Sequence, residues 1–311
     1  MITRTPYDAL PDDLLAELSD AGLDPRAVYD AIVAALEEDL PDGGDDVTSA
    51  ATISAQARGT ADFASRETGV VAGLGVAAMV FHHVMGEDLQ ISDRLPDGSR
   101  VEAGDVVLRV AGPTRGLLTA ERTALNFASH LSGIATATAG WVEALAGTRA
   151  RVLDTRKTLP TYRALQKYAV RCGGGVNHRF SLCDMAMVKD NHVVAAGGVV
   201  PAYRAVRAAH PDLPVEVEVT DLDQLRALLE AGCDRILLDN MDTATMAEAV
   251  RITDGRASLE ASGGLTFERA REVAETGVDF LSVGALTHSV KVFDIGMDLQ
   301  DDLQDDLRDG V

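Results

Sequence analysis

Side chains that can do chemistry are concentrated between Asp154 and His192, in the stretch DTRKTLPTYRALQKYAVRCGGGVNHRFSLCDMAMVKDNH. Nine of them are cationic or can become so, and the stretch holds three of the four lysines of a chain that otherwise uses arginine. Because the whole chain has a formal net charge of −21, a local concentration of positive charge predicts an anionic ligand. The nine are Arg156, Lys157, Arg163, Lys167, Arg171, His178, Arg179, Lys189 and His192.

Lys157 and Lys189 are the strongest candidates for a functional role. Each follows a short apolar run, RVLD and MAMV, at which a strand would end. Ligands of α/β proteins bind outside the carboxyl ends of the strands, so a functional role is favoured over chance at these two positions. Lys167 lies inside a helical pattern, where chance or helix-surface charge is the preferred interpretation.

Length and composition restrict the class of protein. A chain of 311 residues can form two domains. Apolar residues make up 46% but aromatic residues only 4%, so the core must be mostly Ala, Val and Leu, as is common in α/β folds. The acidic balance argues against nucleic acid and against an anionic membrane as partners. An acidic, lysine-poor surface is also expected of a protein adapted to high salt, where screening removes self-repulsion.

Cysteine usage and the first residues indicate a compartment. Cys172, Cys183 and Cys233 are too few and too scattered for a disulfide framework or a metal cluster, so we expect reduced thiols. The opening MITRTPYDALPDD has no apolar core of a signal peptide. No apolar run reaches the length that spans a bilayer. We therefore expect a cytoplasmic protein.

The first 120 residues predict an α+β domain, with helices on a mainly antiparallel sheet. A long helical region over 117–145, interrupted at Ser132-Gly133, would connect this domain to the rest. EDLPDGGDDVTS, from Glu38, is as well explained by a solvated turn as by a site. Apolar periodicity predicts helices over 11–23, 25–40 and 74–85, and alternation predicts strands within 51–67 and 91–111.

Residues 121–289 predict a second, catalytic domain of alternating strands and helices, hence parallel strands with right-handed crossovers. A complete eight-stranded barrel takes ~200–250 residues, so an incomplete barrel of about six strands is expected. Residues 290–311 are expected to pack back on the first domain, and leucines four apart over 298–309 predict an acidic helix. The expected strands are 151–154, 185–189, 215–219, 235–239, 257–261 and 279–283.

Glycine turns follow the last two expected strands. Ser262, Gly263 and Gly264 precede a helix capped by Thr266, and Val283-Gly284-Ala285 follows the final strand. Such turns expose backbone N–H groups and a helix N-terminus to a phosphate. A phosphate site is favoured over ordinary strand–helix turns.

The expected strand ends therefore separate three chemistries: cations on the early strands, carboxylates on the middle ones and phosphate-binding backbone on the last. This order suits a phosphorylated substrate that carries a second multianionic group. The carboxylates, Glu216 or Glu218 with Asp239, can hold Mg²⁺ against a pyrophosphate, directly or through water. No His or Cys spacing suggests zinc or iron.

Nine segments spread over nearly the whole chain carry a family resemblance. DTRKTLP, KYAVRCGGGVNHR and MVKDNH are together highly specific, and the chain resembles the quinolinate phosphoribosyltransferases, also called nicotinate-nucleotide pyrophosphorylases (carboxylating). The other six are EDLPDGGDDVTS, ERTALNFASHLSGIAT, VEVEV, ILLDNM, LEASGGL and VGALTHS.

The resemblance implies a type II phosphoribosyltransferase with an N-terminal α/β sandwich and an incomplete α/β barrel. It implies that quinolinate and phosphoribosyl pyrophosphate react, with Mg²⁺, to nicotinate mononucleotide, pyrophosphate and CO₂, in NAD biosynthesis. It also implies a homodimer with shared active sites, because Arg122 would enter the pocket of the neighbouring subunit.

Further site roles follow from the same resemblance. The two carboxylates of quinolinate would be held by Arg156, Lys157, His178 and Arg179, and Thr155 would be a further substrate-binding residue. Lys189, Glu218 and Asp239 would face phosphoribosyl pyrophosphate and its metal. The 5′-phosphate would lie on the two glycine turns, namely Ser262, Gly263, Gly264, Val283, Gly284 and Ala285, with His288 beside them.

Elementary chemistry agrees with these roles. Planar guanidinium groups suit two adjacent carboxylates better than ammonium groups do, and Glu218 and Asp239 can stabilise an oxocarbenium-like state at the ribose. Ribosylation makes the ring nitrogen cationic, which favours loss of the adjacent carboxylate. The carbanion that remains needs one proton, for which Lys157 and His178 are the candidates.

Two other interpretations stay open. One is a paralogue of the same fold with another substrate, such as the homologue associated with molybdenum-transport operons. The other is a catalytically silent protein that binds sugar phosphates. Complete DTRKT and NHR motifs favour quinolinate, and the intact set of cations with Glu218 and Asp239 argues against a silent protein.

Overall fold

The structure of the protein is a computed structural model that describes residues 3–300, and these form two compact units. The first unit comprises residues 3–136, Ala164–Gly173 and 290–300, and the second comprises Ala137–Arg163 and Gly174–Ser289. Each unit has a main sheet of its own. In the described part of the chain, no helix combines the length and the apolarity that crossing a membrane requires.

The first unit is built on an antiparallel four-stranded sheet. Its strands are β1 (Arg58–Ser65), β2 (Gly69–Val70), β3 (Gln90–Arg94), β4 (Arg100–Val101), β5 (Val106–Pro113) and the last strand of the described chain, β12 (Ile295–Gln300). The sheet order is β12-β1-β5-β3, and β2 pairs separately with β4. Its helices are α1 (Asp12–Asp20), α2 (Pro25–Asp39), α3 (Val47–Thr52), α4 (Leu74–Met85), most of α5 (Thr114–Ala144) and nearly all of α6 (Arg163–Cys172).

Local sequence explains most of these helices, and the expected helices over 11–23, 25–40 and 74–85 are confirmed within a few residues. Helix α2 begins where the Asp24 carboxylate accepts the N–H groups of Arg26 and Ala27, with Pro25 at the first position. Its buried residues recur every four positions, from Val28 to Leu36. Only His82 of helix α4 escapes full burial, so α4 is a core helix.

Asp46 gives the acidic turn after α2 a structural role. Its carboxylate accepts the N–H of Thr48 at 3.1 Å and that of Ser49 at 3.0 Å, which starts helix α3. The strand expected from residue 51 is therefore wrong at its start, because residues 51 and 52 end this helix. The strand itself begins at Arg58.

Helix α5 runs without a break through Ser132 and Gly133, so the expected interruption there is wrong. The Ser132 hydroxyl accepts the N–H of Ala72 at 2.9 Å. A Cβ at position 133 would overlap the carbonyl oxygen of Lys291. The two small residues therefore permit close packing and do not end the helix.

The end of the described chain is a strand where a helix was expected. Strand β12 pairs antiparallel with β1, from Ile295 opposite Ser65 to Gln300 opposite Thr60. The expected acidic helix is therefore wrong over 298–300, because the free edge of β1 offers hydrogen bonds that override the leucine spacing. The remainder of that expectation, 301–309, lies outside the described residues.

Helix α6 belongs to the first unit although its sequence lies inside the cationic stretch. The Tyr168 hydroxyl donates to the Asp97 carboxylate at 2.7 Å, and the same carboxylate accepts the N–H groups of Gly73 and Leu74. Lys167 has no exposed surface. The interpretation of Lys167 as surface charge is therefore wrong.

The second unit contains a six-stranded, all-parallel sheet in the order β6-β11-β10-β9-β8-β7. Within residues 3–300, the edge strands β6 and β7 do not pair with each other. The predicted fold, an antiparallel α+β part and an incomplete barrel of six parallel strands, is confirmed. The strands are β6 (Arg151–Leu153), β7 (Ala186–Val188), β8 (Val215–Val219), β9 (Arg235–Asp239), β10 (Ser258–Ser262) and β11 (Phe280–Ser282).

Helices alternate with these strands, and two of them begin at an aspartate cap. Asp221 caps one helix and Asp242 the next, each through its carboxylate. Thr266 precedes a short 3-10 turn and makes no side-chain capping bond, so the expected cap there is wrong. The helices are α7 (Asp190–Ala196), α8 (Val199–Ala209), α9 (Leu222–Glu230), α10 (Thr243–Thr253), α11 (Ala270–Glu275) and α12 (Ala285–His288).

The two faces of this parallel sheet differ in polarity. In β8, Val215, Val217 and Val219 are buried on one face, while Glu216 and Glu218 lie on the other. Strand β10 likewise alternates apolar residues with Ser258, Glu260 and Ser262. Glu216 and Glu260 are nevertheless fully buried, so the polar face holds charged groups that need partners.

All three cysteines are free thiols, as expected. Burial raises the pKa of Cys172 to about 12 and that of Cys233 to about 11. Because the thiolate is the reactive form, neither thiol is suited to nucleophilic chemistry.

Candidate active site

Two adjoining cavities open at the carboxyl ends of the parallel strands. The arginine cavity has a volume of about 290 Å³ and contains Arg156, His178, Arg179, Met187, Leu237 and Glu260. The glycine-turn cavity has a volume of about 510 Å³ and contains Glu218, Asp239, Asn240, Gly263, Gly264, Gly284 and His288. Thr155, Lys157, Lys189, Ser262 and Ser282 line both.

The predicted site residues of the second unit line one cavity or both, including Val283 and Ala285. Glu216, the alternative carboxylate for the metal, lines neither and is buried. Arg122 differs: it is exposed on α5 and belongs to the first unit. Residues that the sequence did not single out are Met187, Asp190, Leu237, Asn240, Glu260, Leu265 and Ser282.

Three cations face the arginine cavity without a carboxylate at ion-pair distance in the described part of the chain, namely Arg156, Lys157 and Arg179. Among residues 3–300, Arg156 Nε is buried without a hydrogen-bond partner. Burial and the nearby charge of Arg156 lower the pKa of Arg179. Buried donors are almost always satisfied in native proteins, so the cavity is prepared for an anionic ligand.

Asp154 joins two of the sequence motifs. It lies at the end of β6 with no exposed surface. Its carboxylate accepts the side-chain N–H of Asn177 at 2.6 Å and the backbone N–H of His178 at 2.9 Å. A backbone bridge between Leu153 and Val176 adds to this junction. DTRKT and NHR are therefore fixed beside each other at the cavity.

Asp184 closes the loop that follows the NHR motif. Its carboxylate accepts the N–H of Phe180 at 2.6 Å and that of Ser181 at 2.9 Å. Burial opposes ionisation, but these bonds outweigh it and hold the pKa of Asp184 at about 2. Arg163 also donates to the Phe180 carbonyl at 2.9 Å.

Both ring nitrogens of His178 are engaged within the protein. Nε2 lies 2.8 Å from Glu216 Oε2 and 3.3 Å from Glu260 Oε2, and Nδ1 accepts the N–H of Arg179 at 2.7 Å. Burial lowers the basicity of the ring, but the two glutamates outweigh burial and raise the pKa of His178 to about 9. The Arg179 N–H instead favours a proton on Nε2 alone. In either form the Nε2–H group faces the glutamates.

Glu216, Glu260, Arg235 and His178 form one connected group, here called the charge array, in which Arg235 is partly exposed and the other three are buried. Arg235 Nε donates to Glu216 Oε1 at 3.0 Å, and Arg235 NH2 lies 3.8 Å from Glu260 Oε2. The Ser282 hydroxyl hydrogen-bonds to the other Glu260 oxygen. Burial and the charge of Glu216 raise the pKa of Glu260, while His178 and Arg235 lower that of Glu216 against the effect of burial.

The charge array has the ligand spacing of a metal site, since one atom each of His178, Glu216 and Glu260 lie within 4.8 Å of one another. Arg235, however, already donates to Glu216. Its guanidinium supplies the positive charge that a metal ion would bring and repels a second cation. The array is therefore read as a set of ion pairs.

Glu218 and Asp239 stand at the carboxyl ends of the neighbouring strands β8 and β9. Lys189 Nζ lies 3.3 Å from Glu218 Oε2. Asp239 Oδ1 accepts the side-chain N–H of Asn240 at 2.9 Å. Neither carboxylate is fully buried, so both are accessible to a ligand in the glycine-turn cavity.

The first turn requires glycine, whereas in the second turn glycine leaves space beside the Lys157 side chain. Gly263 and Gly264 have φ of +92° and +60°, which other residues rarely adopt, and a Cβ at 263 would overlap the Asn240 side chain. A Cβ at Gly284 would lie 3.0 Å from Lys157 Cδ. Both turns let the backbone approach a ligand closely, as phosphate sites do.

A cavity of about 650 Å³ lies in the first unit, against α2 and α4. Its lining includes Tyr29 and two arginines, of which Arg26 is paired with Asp30 at 3.0 Å. Volume alone therefore does not identify the reactive site.

An incomplete parallel α/β barrel with unpaired cations, two accessible carboxylates and glycine turns at its strand ends defines a class of enzyme that binds multiply anionic, phosphorylated substrates. Residues 46–132 match the family model described as quinolinate phosphoribosyl transferase, N-terminal domain, and residues 134–298 match the C-terminal domain model. The chain belongs to the quinolinate phosphoribosyltransferase family.

Individual relatives are similar along most of the chain. The nicotinate-nucleotide pyrophosphorylase (carboxylating) of Mycobacterium leprae is 54% identical over 286 residues, covering 91% of this chain and 100% of the relative. The probable nicotinate-nucleotide pyrophosphorylase (carboxylating) of Bacillus subtilis is 40% identical, covering 84% and 90%. The solved nicotinate-nucleotide pyrophosphorylase of Francisella tularensis has a TM-score of 0.84 at 37% identity, covering 88% and 96%.

Proposed function

We propose that the protein transfers the phosphoribosyl group of phosphoribosyl pyrophosphate to quinolinate, releasing nicotinate mononucleotide, pyrophosphate and CO₂. Family membership supports the reaction class. The observation that carries the substrate is the arginine cavity, in which Arg156, Lys157 and Arg179 have no acidic partner among the described residues. A small dianion supplies the missing negative charge.

Quinolinate fits the arginine cavity by charge and by shape. Its two adjacent carboxylates match the planar donors of Arg156 and Arg179, which can each form paired hydrogen bonds. Lys157 and Thr155 line the same cavity, and Met187 and Leu237 offer apolar surface to the flat ring. Discrimination against pyridines with one carboxylate follows, since one guanidinium would then stay unpaired.

Phosphoribosyl pyrophosphate is assigned to the glycine-turn cavity. Its 5′-phosphate would lie against the turns at Gly263, Gly264 and Gly284, with His288 beside them. Glu218 and Asp239 would hold Mg²⁺, since accessible carboxylate oxygens are the ligands that this ion prefers. When bound, Mg²⁺ neutralises charge on the pyrophosphate leaving group.

The reaction begins as the ring nitrogen of quinolinate attacks the anomeric carbon and the bond to pyrophosphate breaks. Glu218 and Asp239 stabilise the positive charge that develops on the ribose. The cationic ring nitrogen then draws electrons from the adjacent carboxylate bond, and CO₂ leaves. Lys157 is favoured as the proton donor to the ring carbon because its ammonium has no acidic partner, whereas both nitrogens of His178 are engaged.

A homodimer with shared active sites completes the proposal. Arg122 is exposed on α5, and the family resemblance assigns it to the pocket of the partner subunit. It would add a further guanidinium to the quinolinate carboxylates. The cytoplasm is the compartment proposed, in agreement with three free thiols.

The test is an assay of the purified protein with quinolinate, phosphoribosyl pyrophosphate and Mg²⁺. Nicotinate mononucleotide and CO₂ should form together, and omission of either substrate should abolish both. Turnover of another carboxylated ring but not of quinolinate would identify a paralogue. Binding of sugar phosphate without any turnover would identify a silent protein.

A further inference from the structure

We propose that Glu216, Glu260 and Arg235 are positioning residues for the dicarboxylate substrate, acting through His178 on Arg179. This role rests on the proposed function; it gives Glu260 and Arg235 a part that the sequence did not predict, and it gives Glu216 a part other than the metal ligand considered for it. The three side chains come from β8, β10 and β9, which are adjacent in the sheet. They lie on the face that carries the site at its carboxyl end.

The first step is the closure of the charge array. Arg235 contacts Glu216 at 3.0 Å and Glu260 at 3.8 Å, and His178 contacts the same two glutamates at 2.8 Å and 3.3 Å. Two acids and two bases therefore form a ring, closed by hydrogen bonds at Glu216 and by charge contacts alone at Glu260 Oε2, which has no hydrogen-bond partner among the described residues. Glu216 and Glu260 are at most 1% exposed. Removing one member leaves the others buried with unbalanced charge, which is strongly unfavourable.

The second step is the connection from His178 to the substrate cations. The backbone N–H of His178 is held by Asp154 at 2.9 Å, and its ring Nδ1 accepts the N–H of Arg179 at 2.7 Å. The ring orientation set by the glutamates therefore fixes the peptide that carries Arg179. One Arg179 nitrogen donates to the Met185 carbonyl at 3.1 Å, and its remaining donors serve the arginine cavity.

The third step concerns selectivity. Arg179 lines the arginine cavity and not the glycine-turn cavity. Displacement of Arg179 should therefore weaken binding of the dicarboxylate substrate and leave binding of phosphoribosyl pyrophosphate nearly unchanged. A general loss of folding would instead affect both substrates. The ratio of the two KM values separates positioning from a merely structural role.

The experiment compares Glu216→Gln and Glu260→Gln, each nearly isosteric, with Glu248→Gln as a matched control. Glu248 is paired with Arg251 on the outside of α10 and has no part in the site. Kinetics would give kcat and both KM values, and calorimetry would give the affinity for phthalate, a dicarboxylate without the ring nitrogen. We expect the KM for quinolinate and the Kd for phthalate to rise about tenfold or more in the two array variants. The KM for phosphoribosyl pyrophosphate should stay within about twofold.

Equal changes in both KM values, or unchanged phthalate affinity, would overturn the positioning role. So would a zinc or manganese ion that binds wild-type protein and is lost in Glu260→Gln, because the array would then be a metal site. If neither glutamine variant folds, the same ratio of KM values is measured in Arg235→Lys and Arg235→Met. The positioning role predicts a higher KM for quinolinate in both, with the value for Arg235→Lys closer to that of the wild type. Absence of turnover in the wild-type protein refutes the proposed function itself.

Discussion

Arg156 and Arg179 share one cavity, and in the described part of the chain neither has a carboxylate within ion-pair distance. Two like charges held close together in a partly buried site are unfavourable until an anion arrives. Binding of a dianion would remove this repulsion and so gain additional binding free energy. The positive charges of the site are therefore already in place before an anionic ligand binds.

Arg179→Ala should raise the KM for quinolinate with little change in the KM for phosphoribosyl pyrophosphate. The loss of a charged hydrogen bond of about 1.5–3 kcal/mol corresponds to roughly 10–100-fold. Steady-state kinetics with each substrate varied in turn measures this, and Arg204→Ala on α8, away from both cavities, is the control. Unchanged quinolinate kinetics in a folded variant would remove Arg179 from the pocket.

At the residue scale, sequence reasoning selected residues by type and motif. The predicted cations Arg156, Lys157, Arg179 and Lys189, the two accessible carboxylates and the glycine turns line the two cavities, whereas Lys167 and Arg122 lie in the first unit. It did not find Glu260, because a lone Glu in LEAS has no feature that predicts burial beside His178. That contact depends on the register of three strands and on a loop from another part of the chain.

Helix α5 illustrates the same limit at the scale of the element. Apolar periodicity predicted its length, yet Ser132 and Gly133 suggested a break that does not occur. A small residue in a helical sequence can indicate either the end of the helix or a close packing contact. The contact that decides between them here, with the carbonyl of Lys291, lies far away in sequence. Strand β12 was missed for the same reason, since its partner β1 is equally distant.

Gly133→Ala should destabilise the protein although alanine favours helices. The added methyl overlaps the Lys291 carbonyl oxygen, and overpacking of this kind costs about 1–3 kcal/mol. Thermal unfolding should show a lower Tm. Gly140→Ala in the same helix is the matched control, because its Cβ would lie 3.8 Å from the nearest atom, in Phe267. If Gly133→Ala and Gly140→Ala shift the Tm equally, overlap with the Lys291 carbonyl oxygen is not the cause of the destabilisation.

At the scale of the whole molecule, the proposed shared site predicts that two inactive variants can complement each other in a mixed dimer. Arg122→Ala and Lys157→Ala should each be nearly inactive as pure homodimers. If Arg122 serves the partner's pocket, a mixed dimer has one pocket with both defects and one with neither. Random 1:2:1 assembly then restores about a quarter of wild-type activity.

Co-refolding the two variants and measuring nicotinate mononucleotide formation tests this expectation. A residue that acts within its own subunit would leave one defect in every pocket and give no rescue. Mixtures that stay inactive after subunit exchange has been demonstrated would therefore exclude the shared site.

The excess of acidic residues, 49 Asp and Glu against 28 Lys and Arg, leads to a second prediction for the whole molecule. If the surface is adapted to high salt, screening should relieve repulsion and raise the Tm between dilute buffer and molar KCl. Scanning calorimetry over that range measures it, with sucrose at matched viscosity as the control. A Tm that stays level or falls would refute the adaptation.

The pairing of β12 with β1 has a consequence for how the protein is made. Residues 295–300 supply one edge of a sheet whose other strands are all complete by residue 113. During synthesis on the ribosome, the outer backbone groups of β1 have no strand partner until residues 295–300 have been made. Until then it presents an open edge, which is a site for wrong pairing with other nascent chains. The sheet is therefore closed by its last strand, and synthesis through residue 300 is a condition for a protected edge at β1.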